Sequence, residues 1–196
     1  MTSKTFVNGR IIKRYKIPLD EIDELNKEFD KQKNGLEDKG PKLAGRIDTE
    51  LLVSDMMPKL KIMNSLQKNM HDYMAALYNF GLSESPVFNL NILTMWINDM
   101  QPQEYNPPHT HHDMTGYSTV LFLKVPNFIN DVKHEHKFKD GLLGFIARDT
   151  ITDYYKPEVG HFYIFEASHQ HFVLPYKTND KDPTRRSMSF NFVIQK

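Results

Sequence analysis

The stretch Asn106-Pro107-Pro108-His109-Thr110-His111-His112-Asp113, with the apolar run Tyr117-Ser118-Thr119-Val120-Leu121-Phe122-Leu123-Lys124-Val125 close behind it, decides how this chain reads. The apolar run is rich in β-branched and aromatic residues and predicts a strand. Pro107-Pro108 favours extended backbone just before the histidines, and in extended backbone His109, His111 and Asp113 fall on the same side. A partner histidine, His171, waits far downstream. Two ligands fixed on one strand and a third brought in by the fold is how a non-haem iron site is assembled when open coordination positions must remain.

Working outward, the segment 87–97 and the runs 142–147, 161–165, 171–174 and 186–194 share the β-branched and aromatic character and are separated by Pro, Gly, Asn and Asp clusters. Upstream the period changes. Ile22, Leu25 and Phe29 sit at helical spacing within 19–33, with acids early and lysines late, as the helix dipole favours. From Pro58 onward Met63, Leu66, Met70, Tyr73, Leu77 and Phe80 alternate steps of three and four, with Gly81 as the stop. The segment 34–47 reads as a loop. The expectation is a mostly β protein with N-terminal helices: a helical segment 1–85 packing on a β core 86–196, one structural domain overall. Two helices followed by six or more strands argue for a closed or sandwiched antiparallel sheet whose outer face the helices cover.

Composition narrows the chemistry. The 196 residues suit one domain with a real core. Lys plus Arg and Asp plus Glu number 25 each, so no overall field draws the chain to nucleic acid or to an anionic membrane, and nucleic-acid binding is disfavoured. The absence of cysteine removes disulfides, thiolate metal sites and cysteine nucleophiles, leaving nitrogen and oxygen donors. No apolar run reaches the length of a membrane span, so the chain is read as soluble and cytoplasmic. The apolar-rich second helix offers a homodimer contact.

With nine histidines and 25 acids, about one His-x-acid pair is expected by chance, so His111-x-Asp113 needs support. One support is 160–175, where two strands joined by a short connection put His171 at the start of the returning strand; His169 reads as an exposed turn residue. The other is 184–193, where Arg185, Ser187, Ser189 and Asn191 alternate with Arg186, Met188, Phe190 and Phe192. If the polar face lines the interior, Arg185 is a buried cation needing an anion and Ser187 a donor beside it. Such a barrel interior suits a metal-chelating dicarboxylate. Trp96, Asn98, Tyr105, Thr119 and Tyr163 are candidate walls of the cavity, and the run Lys133-His134-Glu135-His136-Lys137 reads as a solvated or substrate-covering loop.

The order His-x-Asp, distal His, Arg-x-Ser resembles the iron(II)/2-oxoglutarate-dependent dioxygenases of the prolyl-hydroxylase type. The segments 106–111, 120–126, 171–175 and 185–191 look like a small subfamily often encoded by tailed phages, which would place the protein in a host cytoplasm. The resemblance implies a double-stranded β-helix (jelly roll, cupin-like) with helices packed on an outer face. It implies Fe(II) held by His111, Asp113 and His171, with His109 as the alternative first-strand ligand, since relatives often carry an Asn-Pro-x-His-x-His run whose first histidine matches His109. It also implies 2-oxoglutarate held by Arg185 and Ser187, with Tyr105 and Thr119 as further cosubstrate-binding candidates. One departure is Phe165-Glu166, where relatives commonly have Phe-Pro. The implied activity is a hydroxylase that uses O2 to couple oxidation of a C–H bond, in a peptide or small-molecule substrate, to decarboxylation of 2-oxoglutarate to succinate and CO2. The competing readings are a cupin-like metalloenzyme needing no keto acid and a non-catalytic jelly-roll module for binding or assembly.

Overall fold

A computed structural model of the chain describes residues 3–7, 10–40, 45–78, 88–111, 115–129, 139–147 and 151–195. Among the described residues, eleven strands and two α-helices follow one another as β1 (Ser3–Val7), β2 (Ile11–Lys16), α1 (Leu19–Gln32), β3 (Glu50–Leu52), α2 (Ile62–Tyr78), β4 (Leu90–Met100), β5 (Asn106–His109), β6 (Tyr117–Lys124), β7 (Leu143–Ala147), β8 (Ile151–Tyr155), β9 (His161–Glu166), β10 (His171–Val173) and β11 (Arg185–Ile194). They form a seven-stranded sheet in the order β1-β2-β9-β6-β11-β4-β3 and a four-stranded sheet in the order β5-β10-β7-β8. Every pairing is antiparallel. The expectation of a mostly β fold with helices on an outer face holds, but the N-terminal segment is not wholly helical: β1, β2 and β3 join both edges of the large sheet.

Strand alternation sorts the large sheet into two faces. Toward the helices point Tyr15, Leu121, Leu123, Phe162, Ile164, Met188, Phe190, Phe192, Met95 and Ile97, and one apolar cluster joins them to Ile22, Leu25 and Phe29 of α1 and Leu66, Met70, Tyr73 and Met74 of α2. The stripe of α2 is therefore spent inside the chain. Leu66→Ala or Met70→Ala, at 0% and 1% exposure, costs about 2–5 kcal/mol. Pro58 lies outside α2, in a 3-10 turn over Met57–Lys59. Leu60 then turns extended (φ −95°, ψ 142°) before the helix begins at Ile62. The expected stop at Gly81 lies outside the described residues.

The opposite face of the large sheet looks at the small one. At one end the gap is closed by Ile12, Val120, Phe122, Leu143, Phe145, Tyr155, Tyr163 and Phe165. Toward β11, β4 and β3 the side chains turn polar and the two sheets stand apart around a cavity. Gly116 fixes the entry to β6: its φ is +72° and a Cβ would strike the Phe192 carbonyl, so a glycine is required there. Its carbonyl accepts from Ala167 N–H at 3.0 Å, and Ala167 C=O accepts from His111 N–H at 3.2 Å, which suspends the histidine segment over the cavity. Among the described residues no helix is long and apolar enough to cross a membrane.

Candidate metal and cosubstrate site

The histidines converge because β5 and β10 pair with His109 and His171 as direct register partners, which puts both side chains on the same face. Their ring centroids are 4.2 Å apart. His111 completes the group, 5.9 Å from His109 and stacked at 5.3 Å on His171, and ligand atoms of all three lie within 4.8 Å of one another. His109 Nδ1 faces the Pro107 carbonyl at 2.8 Å and His171 Nδ1 the His169 carbonyl at 2.9 Å. A carbonyl only accepts, so each Nδ1 carries the proton and each Nε2 keeps its lone pair for a metal. Burial, reinforced by His109 and His111, holds His171 well below the usual imidazole range, and burial lowers His109. Both are neutral at pH 7, the form that ligates. His111 is anchored differently, with Nε2 on Ser118 Oγ at 2.8 Å and Nδ1 on Asn191 Nδ2 at 3.1 Å. Asp113 lies outside the described residues, as does the Lys133–Lys137 run.

Arg185 stands on β11 with its register partner Met100, lining the same cavity of about 830 Å³ as the three histidines. It is 1% exposed. Its Nη1 reaches Met100 Sδ at 3.0 Å and its guanidinium lies 5.0 Å from the centre of the Phe122 ring, while Nε and Nη2 have no hydrogen-bond partner among the described residues. Burial pulls its pKa down to about 10, so it stays charged at pH 7. Tyr176 pins the backbone beneath it: the Tyr176 hydroxyl accepts from Arg185 N–H at 3.1 Å and reaches the Met100 and Pro183 carbonyls at 2.7 and 2.6 Å. A buried cation costs several kcal/mol unless an anion meets it. Two N–H edges aimed into a cavity that also holds neutral imidazoles fit a metal-chelating acid whose far carboxylate reaches the guanidinium.

Other sequence expectations sort cleanly. Ser187, Ser189 and Asn191 line the cavity with Arg185, and Trp96 and Asn98 stand on neighbouring β4. Thr119 borders the cavity, but its hydroxyl exchanges hydrogen bonds with the Phe190 main chain at 2.9 and 3.0 Å, so it is already engaged. Tyr105 is 43% exposed and does not line the cavity; its main chain pairs with Arg46. Tyr163 is fully buried between the sheets. His169 is not an exposed turn residue: it is 2% exposed against Phe145, and burial lowers it to about 4. Ser118 and Asn191 are the two residues that hold His111. Ser118 and Thr119 are the polar breaks in an apolar run, Ser118 being the one whose hydroxyl meets a histidine, and Asn191 continues the β11 alternation. Lys39 and Glu50 also line the cavity, and nothing local in sequence marks them.

The model of a family described as "Putative 2OG-Fe(II) oxygenase" matches residues 94–191. No curated protein matches the chain in sequence. Among solved structures the chain is similar to a Pseudomonas putida prolyl-4-hydroxylase, with 15% identity over 97% of this chain and 96% of that one at a TM-score of 0.62. It is also similar to the viral collagen prolyl hydroxylase of Paramecium bursaria Chlorella virus-1, solved as a 2OG complex, with 14% identity over 92% and 94% at 0.62. A third is a Trichoplax adhaerens prolyl hydroxylase bound to a peptide fragment of the hypoxia inducible factor oxygen degradation domain, with 11% identity over 95% and 84% at 0.60. The shared feature is the double-stranded β-helix.

Proposed function

Because the chain belongs to the 2OG-Fe(II) oxygenase family, whose model spans residues 94–191, we propose that His109, His111 and His171 hold its Fe(II) and that Arg185, with Ser187, holds the far carboxylate of 2-oxoglutarate. Bound together, the metal, the keto acid and O2 supply hydroxylation of a substrate C–H bond coupled to release of succinate and CO2. The chain supplies orientation and exclusion of water. Pro107 and His169 carbonyls fix the tautomers of His109 and His171, which aims both Nε2 atoms before metal arrives. For His111 to ligate, either the Ser118 or the Asn191 contact must open. Ser187, 5% exposed beside Arg185 on the cavity face, offers a hydroxyl to the same carboxylate. The substrate is read as a peptide or small molecule; three of the similar solved structures are prolyl hydroxylases.

The observation that carries this reading is the buried guanidinium in the cavity of the three imidazoles, which meets no anion among the described residues. A cupin-like enzyme with no keto acid leaves that charge unexplained. The test is anaerobic titration of 2-oxoglutarate into the Fe(II)-loaded protein, read by the weak visible charge-transfer band of the chelate and by bound iron per chain. The wild type forms the band. His109→Ala and His171→Ala lose iron. Comparison of His111→Ala with Asp113→Ala decides the third ligand: iron retained without the imidazole but lost without the carboxylate overturns the three-histidine set.

A further inference from the structure

The cavity extends well past the metal-side residues, and its far wall has a chemistry of its own. β3 pairs with β4 so that Glu50 faces Asn98 and Leu52 faces Trp96, and β4 pairs with β11 so that Asn98 faces Ser187 and Trp96 faces Ser189. Two rows of side chains therefore run across the sheet from β11 to β3, a lateral span of two strand spacings, roughly 10 Å. The middle of the second row touches the metal side, since the Trp96 ring lies 5.9 Å from that of His111. The outer end of the first row is the Glu50 carboxylate, which lines the cavity.

Two amide oxygens and a carboxylate line this wall as acceptors. Asn98 is 8% exposed. It gives its side-chain hydrogen bond to Glu50, and its Oδ1 has no partner among the described residues. Asn191 Oδ1, on the same cavity, is equally without one. Glu50 has no cation paired with its carboxylate among the described residues. Lys39, the other charged liner on this side, directs its ammonium to Glu37. Burial, with Asp38 adding to it and Asn98 opposing, pushes the Glu50 carboxyl up to about 7, the behaviour of an acid short of a counter-ion. Trp96 lines the same cavity one register step along β4 from Asn98 and 5.9 Å from the His111 ring, and an indole is the aromatic surface that cations prefer.

We infer that the Glu50–Asn98–Trp96 wall is the substrate-specificity subsite, and that it selects a substrate bearing an ammonium or guanidinium group on a flexible stem. This rests on the oxygenase reading of the same cavity. The cation passes along the Trp96 ring to Glu50 and Asn98 Oδ1, which leaves the carbons of its stem facing the three histidines. A lysyl or arginyl side chain has this form, with a charged head on an aliphatic stem. A prolyl residue does not, because it brings neither charge nor an N–H donor.

Trp96 is the sole tryptophan of the chain, so its fluorescence reports occupancy of this wall without requiring turnover. The experiment titrates N-acetylated, C-amidated tripeptides with a central lysine, arginine, norleucine, citrulline or proline into the full chain loaded with Mn(II) and 2-oxoglutarate under anaerobic conditions. The lysyl or arginyl peptide gives a saturable change at a concentration about tenfold or more below its uncharged isostere and the prolyl peptide. In Glu50→Gln that preference disappears, while Glu50→Asp keeps part of it. Norleucyl or prolyl peptides binding as tightly as lysyl in the wild type overturn the assignment, as does a preference that survives in Glu50→Gln or a complete absence of response to both cationic peptides. The oxygenase reading is judged separately by the chelate band and by succinate. A chain that forms the band but shows no preference loses only this subsite, and one that discriminates without the band loses only the oxygenase reading.

Discussion

Arg185 and Arg186 are consecutive residues of one strand, both 1% exposed, and they face opposite sides of the large sheet with opposite fates. Arg186 turns toward the helices. Its Nε and Nη2 bond Asp99 at 2.6 and 2.7 Å, Nη2 also reaches Asp30 at 2.8 Å and Nη1 reaches Asn26 at 3.1 Å, and the guanidinium lies 4.4 Å from the centre of the Phe29 ring. Its pKa is raised by those carboxylates despite burial. Arg185 turns toward the cavity, where it meets a thioether and a phenyl ring, and its pKa is lowered by burial. On the helix side the buried charge is met as folded. The cavity side is incomplete in a way that specifies what must arrive.

The largest effect expected from this contrast is on the paired arginine. Arg186→Leu removes one member of a buried network and leaves Asp99, with a side chain only 14% exposed, without its counter-ion. Stability falls by about 3–5 kcal/mol in urea unfolding, while the affinity for 2-oxoglutarate is unmoved in whatever fraction remains folded. A loss below about 1 kcal/mol would mean that the pairing contributes no more than a surface ion pair.

Arg185→Met gives the mirror result. It removes a desolvated charge with no anion, so the midpoint of the ligand-free protein does not fall. The dissociation constant for 2-oxoglutarate rises by roughly 30- to 150-fold, the worth of about 2–3 kcal/mol of charge-assisted hydrogen bonding. Calorimetry with and without 2-oxoglutarate measures both, since ligand raises the midpoint of the wild type more than that of the variant. A large loss of stability in the unliganded variant would make Arg185 a structural cation like its neighbour.

The alternation in residues 185–192 made this contrast legible in sequence: polar and apolar faces of β11 are visible as letters, and the structure keeps that register. The helical face was equally legible because its apolar spacing is local. What could not be read was pairing between distant segments. β3 is only Glu50–Leu52, too short to show a period, and Glu50 becomes a cavity residue only through its register with Asn98. β2 contains Lys13, Arg14 and Lys16 among its six residues, charges that mask the inward Ile12 and Tyr15. His169 sits between Ser168 and Gln170, and its polar neighbours gave no sign of the Phe145 ring that buries it. Near the metal, the proximity of His109 to His171 is a property of the β5–β10 register, which is why His109 stood as an alternative in sequence and as a direct partner in the fold.

Ser187 tests how much of the cavity's anion affinity belongs to Arg185 alone. Ser187→Ala removes one neutral donor beside it, worth about 1 kcal/mol, so the dissociation constant for 2-oxoglutarate rises about fivefold with little change in stability. An effect equal to that of Arg185→Met would mean the hydroxyl, and not the guanidinium, orients the carboxylate.

The smallest effect tests whether the incomplete face extends to Glu50. Burial, with Asp38 adding to it and Asn98 opposing, pushes its carboxyl up to about 7 in the folded chain, against about 4.3 for an unfolded glutamate. Between those values the folded state holds a proton that the unfolded chain has released. The stability this contributes is therefore fully present below about pH 4.3 and is lost as pH rises toward 7. Glutamine cannot titrate, so Glu50→Gln lacks this slope. Urea midpoints measured from pH 5 to 8 should show the variant gaining on the wild type up to about pH 7 and then running parallel, by an amount on the order of 0.5 kcal/mol once solvent reaching the half-buried group is allowed for. Adding the lysyl tripeptide reverses the trend in the wild type alone, because a bound cation favours the ionised carboxylate. A midpoint difference that is flat across this range would show Glu50 ionising as an ordinary surface acid, and the polar wall would then end at Trp96.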